Sequence, residues 1–76
     1  MDMRRLVGRN VRAARIAAGQ TQEDLAVRSG FSQQYVSDLE RGLRNPTVVS
    51  LYEIAQAVGT TPVALITPDP EAAEEG

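Results

Sequence analysis

Apolar residues recur along the chain at intervals of three and four, the spacing that places them on one face of an α-helix. No stretch alternates apolar and polar residues for long enough to predict a β-strand. The pattern therefore predicts an all-α fold of five helices joined by short loops. The predicted helices cover residues 3–18, 22–28, 33–41, 48–58 and 62–66.

Short polar residues and glycines mark where these helices begin and end. Each of the last four predicted helices follows a residue suited to the N-cap position: Thr21, Ser32, Thr47 and Thr61. A glycine follows each of the first four: Gly19, Gly30, Gly42 and Gly59. Residues 1–66 are thus predicted to form one compact domain. Residues 67–76 lack periodicity and are predicted to form a disordered, acidic tail.

The periodicity also predicts a core. In the first helix the inward face is expected to carry Met3, Val7, Val11, Ala14 and Ala18, with Arg5, Arg9 and Arg12 in solvent. The other helices are expected to contribute Leu25, Ala26, Val36, Leu39, Val48, Leu51, Ile54, Ala55 and Val58. Arg15 falls at the border of the inward face of its helix, and Glu40 lies on the inward face of the third helix. A carboxylate turned toward a core needs a partner.

Length and composition exclude several classes of protein. The chain has 76 residues, with neither cysteine nor histidine. Disulfides, Cys/His zinc sites and Cys–His or Ser–His nucleophiles are therefore excluded, and we expect no enzyme, cofactor or metal. No apolar run approaches the ~20 residues of a membrane span. We expect a cytoplasmic protein that does not bind membranes.

The net charge of the whole chain differs in sign from that of the predicted domain. The formal net charge is −2, which by itself disfavours nucleic acid. However, all eight basic residues are arginines between positions 4 and 44, and four of the ten acids lie in the last eight residues. Residues 1–66 therefore carry 8 − 6 = +2. The acidity belongs mainly to the tail, and the rest of the chain is compatible with DNA.

The second and third predicted helices, joined by a tight turn at Gly30, have the layout of a helix-turn-helix. The free face of the third helix carries only side chains that can hydrogen-bond. Glutamine there can bond to adenine in the major groove, and arginine can bond to guanine. These features predict double-stranded DNA as the partner. The polar residues of this face and its edges are Gln33, Gln34, Tyr35, Ser37, Asp38 and Arg41.

An ordered set of residues carries a resemblance to a known family. The set comprises Arg15, residues 21–26, 30–34, 36–42 and 44–47, Leu51, Ile54, Ala55, Val58 and Gly59. Over about residues 6–66 the chain resembles the Cro/phage-repressor, or xenobiotic-response-element, type of helix-turn-helix transcriptional regulator. The resemblance implies a lambda-repressor-like, five-helix DNA-binding domain associated with the nucleoid.

The resemblance also implies roles for individual positions. Gln22 matches a phosphate-contacting glutamine, while Gln33 and Gln34 match the pair that begins the recognition helix. Arg15 and Glu40 match a buried ion pair, in agreement with their inward positions. The full predicted DNA-binding set is Gln22, Ser32, Gln33, Gln34, Tyr35, Ser37, Asp38, Arg41, Arg44 and Asn45.

Two positions depart from the family pattern. Gln20 stands where the family usually has an apolar residue, so we expect weaker packing between the first and second helices. Asp38 is an acid on a face that meets phosphates. It can accept a hydrogen bond from cytosine N4, or it can orient Arg41 three residues away.

One monomer offers too little surface for tight specific binding, so a homodimer on a pseudo-palindromic operator is expected. The candidate dimer surface consists of Val49, Tyr52, Val63 and Ile66. A small repressor and a controller of a restriction–modification system are both compatible with these features. The alternatives are an antitoxin or protein-interaction module with secondary autoregulatory DNA binding, and the DNA-binding part of a longer regulator. The acidic tail either solubilises the protein or competes with DNA.

Overall fold

The computed structural model describes residues 2–68, which form five α-helices and no strand. The all-α prediction is confirmed, and each helix boundary lies within one residue of its predicted position. The predicted tail lies outside the described residues from position 69 onward. The helices are α1 (Met3–Ala17), α2 (Gln22–Ser29), α3 (Gln33–Glu40), α4 (Val48–Val58) and α5 (Pro62–Ile66).

Side-chain caps explain why the helices begin where they do. At α2, the Thr21 side chain accepts from the Asp24 backbone N–H at 3.0 Å, and the Asp24 carboxylate accepts from the Thr21 N–H at 2.9 Å. This reciprocal pair is a capping box, with Asp in place of the usual Glu. Ser32, Thr47 and Thr61 cap α3, α4 and α5 through single bonds of the same kind.

The C-terminal end of α3 turns on Gly42, whose φ of +78° favours glycine. The Leu43 N–H donates to the Asp38 carbonyl at 2.9 Å, and the Gly42 N–H donates to the Leu39 carbonyl at 3.1 Å. These two bonds form a Schellman motif. The motif directs the chain away from α3 into the loop before α4.

One hydrophobic core joins all five helices. Helix α1 packs against α3, α4 and α5, while α2 packs against α3 and α4. Nearly all the predicted core residues belong to it. The buried cluster comprises Val7, Val11, Leu25, Ala26, Val36, Leu39, Leu51, Ile54, Ala55, Val58 and Leu65, with Ala14 packed against it.

Three residues predicted to face the core are exposed. Val48 is 82% exposed, Met3 is 47% exposed, and Ala18 also lies at the surface. Each of them lies at or just beyond the end of its helix, where the helix extends past the partners that would cover it. The prediction was wrong at these positions because periodicity assigns a direction to a side chain without showing where the neighbouring helices end.

The inward face of α1 is wider than its apolar residues suggest, because Leu6 and Asn10 are also buried. The Asn10 amide donates to the Leu65 and Thr67 carbonyls, at 2.9 Å in both cases. Both of its N–H groups are therefore used to join α1 to the end of α5. The apolar pattern of α1 does not predict this contact.

The close approach of α1 to α3 depends on Gly8. A Cβ atom at this position would lie 2.5 Å from the Leu39 carbonyl oxygen and 2.8 Å from the Glu40 carbonyl oxygen. Real Cβ contacts are not that short, so any larger residue would push the two helices apart. Gly8 therefore brings the backbone of α1 directly against the last turn of α3.

As expected, α1 and α2 pack little against each other, and Gln20 is held by hydrogen bonds instead. Its side-chain amide donates to the Ala57 carbonyl at 2.8 Å, and its backbone carbonyl accepts from Arg15 Nη1 at 2.8 Å. Hydrogen bonds to α4 and α1 thus replace the usual apolar contact.

No helix within residues 2–68 is long and apolar enough to cross a membrane.

Candidate nucleic-acid interface

A three-residue turn joins α2 to α3. Gly30 ends α2 with a φ of +82°, and its N–H donates to the Ala26 carbonyl at 3.0 Å. Two residues later, the Ser32 side chain accepts from the Tyr35 N–H at 3.0 Å and begins α3. Each helix is eight residues long. Two short helices with a turn of this length form a helix-turn-helix.

Helix α3 has one buried face and one polar face. Val36 and Leu39 are completely buried and attach the helix to the core. On the outer side, Gln33 and Gln34 are exposed, as is Arg41 just after the helix. Ser37 and Asp38 are half-buried. The outer side therefore presents amide, hydroxyl, carboxylate and guanidinium groups.

A buried ion pair holds α3 against α1. Arg15 Nε donates to Glu40 Oε2 at 2.6 Å, and Arg15 Nη2 donates to Glu40 Oε1 at 3.1 Å. Their side chains are only 12% and 3% exposed. Such a two-bond arrangement fixes orientation as well as distance. Gln22 joins this group, since its Nε2 donates to Glu40 Oε1 at 3.1 Å. The predicted phosphate contact on α2 is therefore anchored to the end of α3.

Asp38 is the centre of a second polar group, on the outer surface. Its Oδ1 accepts from Gln34 Nε2 at 2.9 Å and from Arg41 Nη2 at 2.7 Å. Its Oδ2 lies 3.6 Å from Arg44 Nε. The hydrogen bond from Arg41, and next the one from Gln34, hold the pKa of Asp38 below its ordinary value of 3.8. The carboxylate is therefore ionised at neutral pH.

Aromatic stacking connects the turn to the loop after α3. The rings of Phe31 and Tyr35 stack with centroids 4.6 Å apart and planes inclined by 20°. The Arg44 guanidinium lies over the Tyr35 ring, 5.3 Å from its centroid, which is a cation–π distance. Phe31 was not among the predicted site residues. Its spacing of four from Tyr35 could have indicated the contact.

The structure brings most of the predicted DNA-binding residues to one surface. Asn45 is exposed but takes no part in the contacts around Asp38, and it borders a small apolar pocket between α1, α4 and α5. The candidate dimer residues lie on α4 and α5, away from the α3 group. The residues on or beside the outer face of α3 are Ser32, Gln33, Gln34, Tyr35, Ser37, Asp38, Arg41 and Arg44.

Three acidic side chains near the helix-turn-helix are engaged in structural contacts. Asp24 closes the cap of α2, Asp38 contacts Arg41, and Glu40 is paired with Arg15. No group of three or more potential ligands that could hold a metal ion occurs in this part of the chain.

The Helix-turn-helix family model matches residues 11–65, which span the ion pair, the turn and the outer face of α3. The chain belongs to this family. It is a DNA-binding transcriptional regulator of the Cro/C1 type, and its relatives are regulators rather than enzymes. The predicted fold and general function are thereby confirmed.

Three relatives show how far the similarity of this regulator extends. The HTH-type transcriptional regulator y4dJ of Sinorhizobium fredii is 61% identical over 71 residues, covering 93% of this chain and 92% of its own. The crystal structure of the hypothetical transcription factor NHTF from Neisseria matches with a TM-score of 0.86 and 31% identity, covering 99% of this chain and 86% of that one. The restriction-modification controller protein C.AhdI from Aeromonas hydrophila matches with a TM-score of 0.78 and 37% identity, covering 82% and 94% respectively.

Proposed function

We propose that the regulator binds a pseudo-palindromic operator as a homodimer, with α3 of each copy in the major groove. The polar outer face of α3 carries this proposal. Gln33 and Gln34 are exposed in its first turn, whereas Val36 and Leu39 are buried in the core. The N-terminal residues of a recognition helix are those that reach base edges.

The site divides into base contacts and backbone contacts. We assign Gln33 and Gln34 to adenine, because a glutamine amide matches the N6 and N7 edge. Ser37 in the next turn is assigned to a further base position, whereas the Asp38 carboxylate is engaged by its neighbours Gln34 and Arg41. The remaining residues are assigned to sugars and phosphates, which position the protein without reading sequence. They are Gln22, Ser32, Tyr35, Arg41, Arg44 and Asn45.

The dimer is assigned to the apolar surface of α4 and α5. Val49 and Val63 are 68% and 69% exposed, and Tyr52 and Ile66 are 48% and 44% exposed. Four apolar side chains on neighbouring helices favour burial against a second copy. A two-fold pair would place two α3 helices on half-sites about one helical turn of DNA apart.

Similarity to a restriction-modification controller supports a controller-like regulator, and a small repressor is the alternative form of the same function. In either form, residues 1–66 would carry both DNA binding and pairing. We place this activity at the nucleoid, in the cytoplasm.

Fluorescence anisotropy on duplexes selected from random DNA tests the base-reading assignment. Gln34→Ala should lose about 1–3 kcal/mol of discrimination between the selected duplex and a scrambled one, the worth of one bidentate base contact. Arg44→Ala, the matched control, should weaken binding to both duplexes alike. Equal preference for the selected duplex in the wild type and in Gln34→Ala would contradict the assignment.

A further inference from the structure

Asp38 is the acidic side chain on the surface that we assign to DNA. A carboxylate there opposes binding to phosphate, yet it lies among groups assigned to contact DNA. It accepts hydrogen bonds from Gln34 and Arg41 and lies 3.6 Å from Arg44. Its side chain is only 17% exposed, so these neighbours largely surround it. This arrangement indicates an effect of Asp38 on the neighbours themselves.

The bond from Gln34 determines how its amide faces outward. One of the two Nε2 hydrogens is used at 2.9 Å from Asp38 Oδ1. Within residues 2–68 the amide makes no other hydrogen bond, so one donor and one acceptor are left for a base. Adenine offers the complementary pair, an N7 acceptor beside an N6 donor. The bond to Asp38 therefore favours the amide orientation that suits adenine.

The contacts of Asp38 with the two arginines weaken binding to phosphate. Arg41 and Arg44 contribute two positive charges, and Asp38 reduces the local sum to 2 − 1 = +1. A phosphate that approaches either guanidinium must compete with a carboxylate already in contact. Binding to DNA of any sequence is thereby weakened, since such binding depends on phosphate contacts.

We propose that Asp38 is a specificity-determining positioning residue: its carboxylate orients Gln34 for adenine and weakens the contacts of Arg41 and Arg44 with the phosphates of any DNA. On the cognate site, the contact between Gln34 and adenine offsets the repulsion, whereas on other sequences nothing does. The inference rests on the proposed function, because it requires α3 to read bases.

Anisotropy titrations of Asp38→Asn on the selected and the scrambled duplex test the inference. Asn is similar in size and helix propensity but lacks the charge. The variant should bind the scrambled duplex more tightly and the selected duplex no more tightly, so that the affinity ratio falls about tenfold, the scale of one base contact. Its binding should also depend more steeply on salt, because the freed arginines reach phosphates.

Two variants separate position from charge. Glu53→Gln removes the same charge from an exposed site on α4 and should leave the affinity ratio unchanged. Asp38→Glu retains the charge and should keep binding to scrambled DNA weak. A rise in scrambled-DNA affinity as large in Glu53→Gln as in Asp38→Asn would reduce the effect to net charge and overturn the inference.

A double-mutant cycle tests whether Asp38 acts through Gln34. If it does, Asp38→Asn should change base preference at the same position as Gln34→Ala, and the double variant should lose little more than either single variant. Additive losses in the double variant would overturn the inference, as would an affinity ratio that Asp38→Asn leaves unchanged. Neither result would contradict base reading by Gln34. A wild type that prefers no sequence would overturn both the inference and the proposed function. Circular dichroism melting of each variant identifies any loss caused by unfolding.

Discussion

Glu40 is the side chain through which α1, α2 and α3 are joined by hydrogen bonds. It accepts two bonds from Arg15 and one from Gln22, and it is almost completely buried. Buried charges are tolerated when they are paired, and removal of one partner leaves the other without compensation. The stability of the domain and the placement of α3 therefore depend on the same carboxylate.

We expect Glu40→Ala to lower the free energy of unfolding by about 3–5 kcal/mol, because it leaves the Arg15 charge buried and unpaired. Urea denaturation followed by circular dichroism measures the loss. Arg41→Ala is the control, since it breaks an ion pair at an arginine that is 59% exposed and should cost at most about 1 kcal/mol. Similar losses in the two variants would contradict the role of burial.

Sequence patterns located Glu40 and Arg15, but they did not locate Gly8 or Asn10. A charged residue at an inward helical position needs a partner, and that need can be recognised from one helix alone. Gly8 matters only because the carbonyls of α3 lie beside it, and Asn10 only because α5 ends beside it. Such contacts depend on where other helices lie, which the periodicity of a single helix does not contain.

At the scale of the elements, local capping accounts for the accuracy of the helix boundaries. The box formed by Thr21 and Asp24 satisfies backbone N–H groups that α2 would otherwise leave unpaired. Capping depends on residues three positions apart, so it can be predicted from sequence. The exposure of Val48 could not be predicted in this way, because it depends on how far the core extends along α4.

The same capping box predicts a dependence of stability on pH. The backbone hydrogen bond from Thr21, the main cause, holds the pKa of Asp24 below its ordinary value of 3.8 in the folded protein. A carboxyl group whose pKa is lower in the folded than in the unfolded protein stabilises the fold at pH values above its unfolded-state pKa. This contribution is lost as the pH falls through its folded-state pKa.

Asp24→Asn should therefore destabilise the protein at neutral pH, and the difference from the wild type should shrink below about pH 4. Urea denaturation of both proteins between pH 2 and pH 7 measures this convergence. Glu23→Gln, an exposed neighbour in the first turn of α2, is the control and should not produce the same convergence. A difference between wild type and Asp24→Asn that stays constant with pH would contradict the assignment.

At the scale of the whole molecule, the two sides of α5 have different surroundings. Leu65 is 1% exposed and packs in the core, while Val63 is 69% exposed on the candidate dimer surface. The sequence left Val63 and Ile66 outside the predicted core, and both are exposed. That they pair with a second copy stays a prediction. The arrangement of two copies involves a second chain, so neither sequence patterns nor the monomer determine it.

Val63→Asp should leave the monomer folded but shift sedimentation from dimer to monomer at tens of micromolar, because it places a charge in the apolar surface. Analytical ultracentrifugation measures the shift. Leu65→Ala is the contrasting variant in the same helix, and it should destabilise the fold by about 2–5 kcal/mol. A wild type that sediments only as a monomer at these concentrations would contradict the dimer proposal.

The bonds from Asn10 to the end of α5 have a consequence for genetics. Asn10 lies outside the surface assigned to DNA, yet its substitution would loosen the helix that carries part of the proposed pairing surface. A screen for loss of regulation would therefore recover changes at Asn10 together with changes at Gln34. If Gln34 reads bases as proposed, only changes at Gln34 would be suppressed by a compensating change in the operator. Allele-specific suppression therefore distinguishes a base-reading residue from a residue that stabilises the fold.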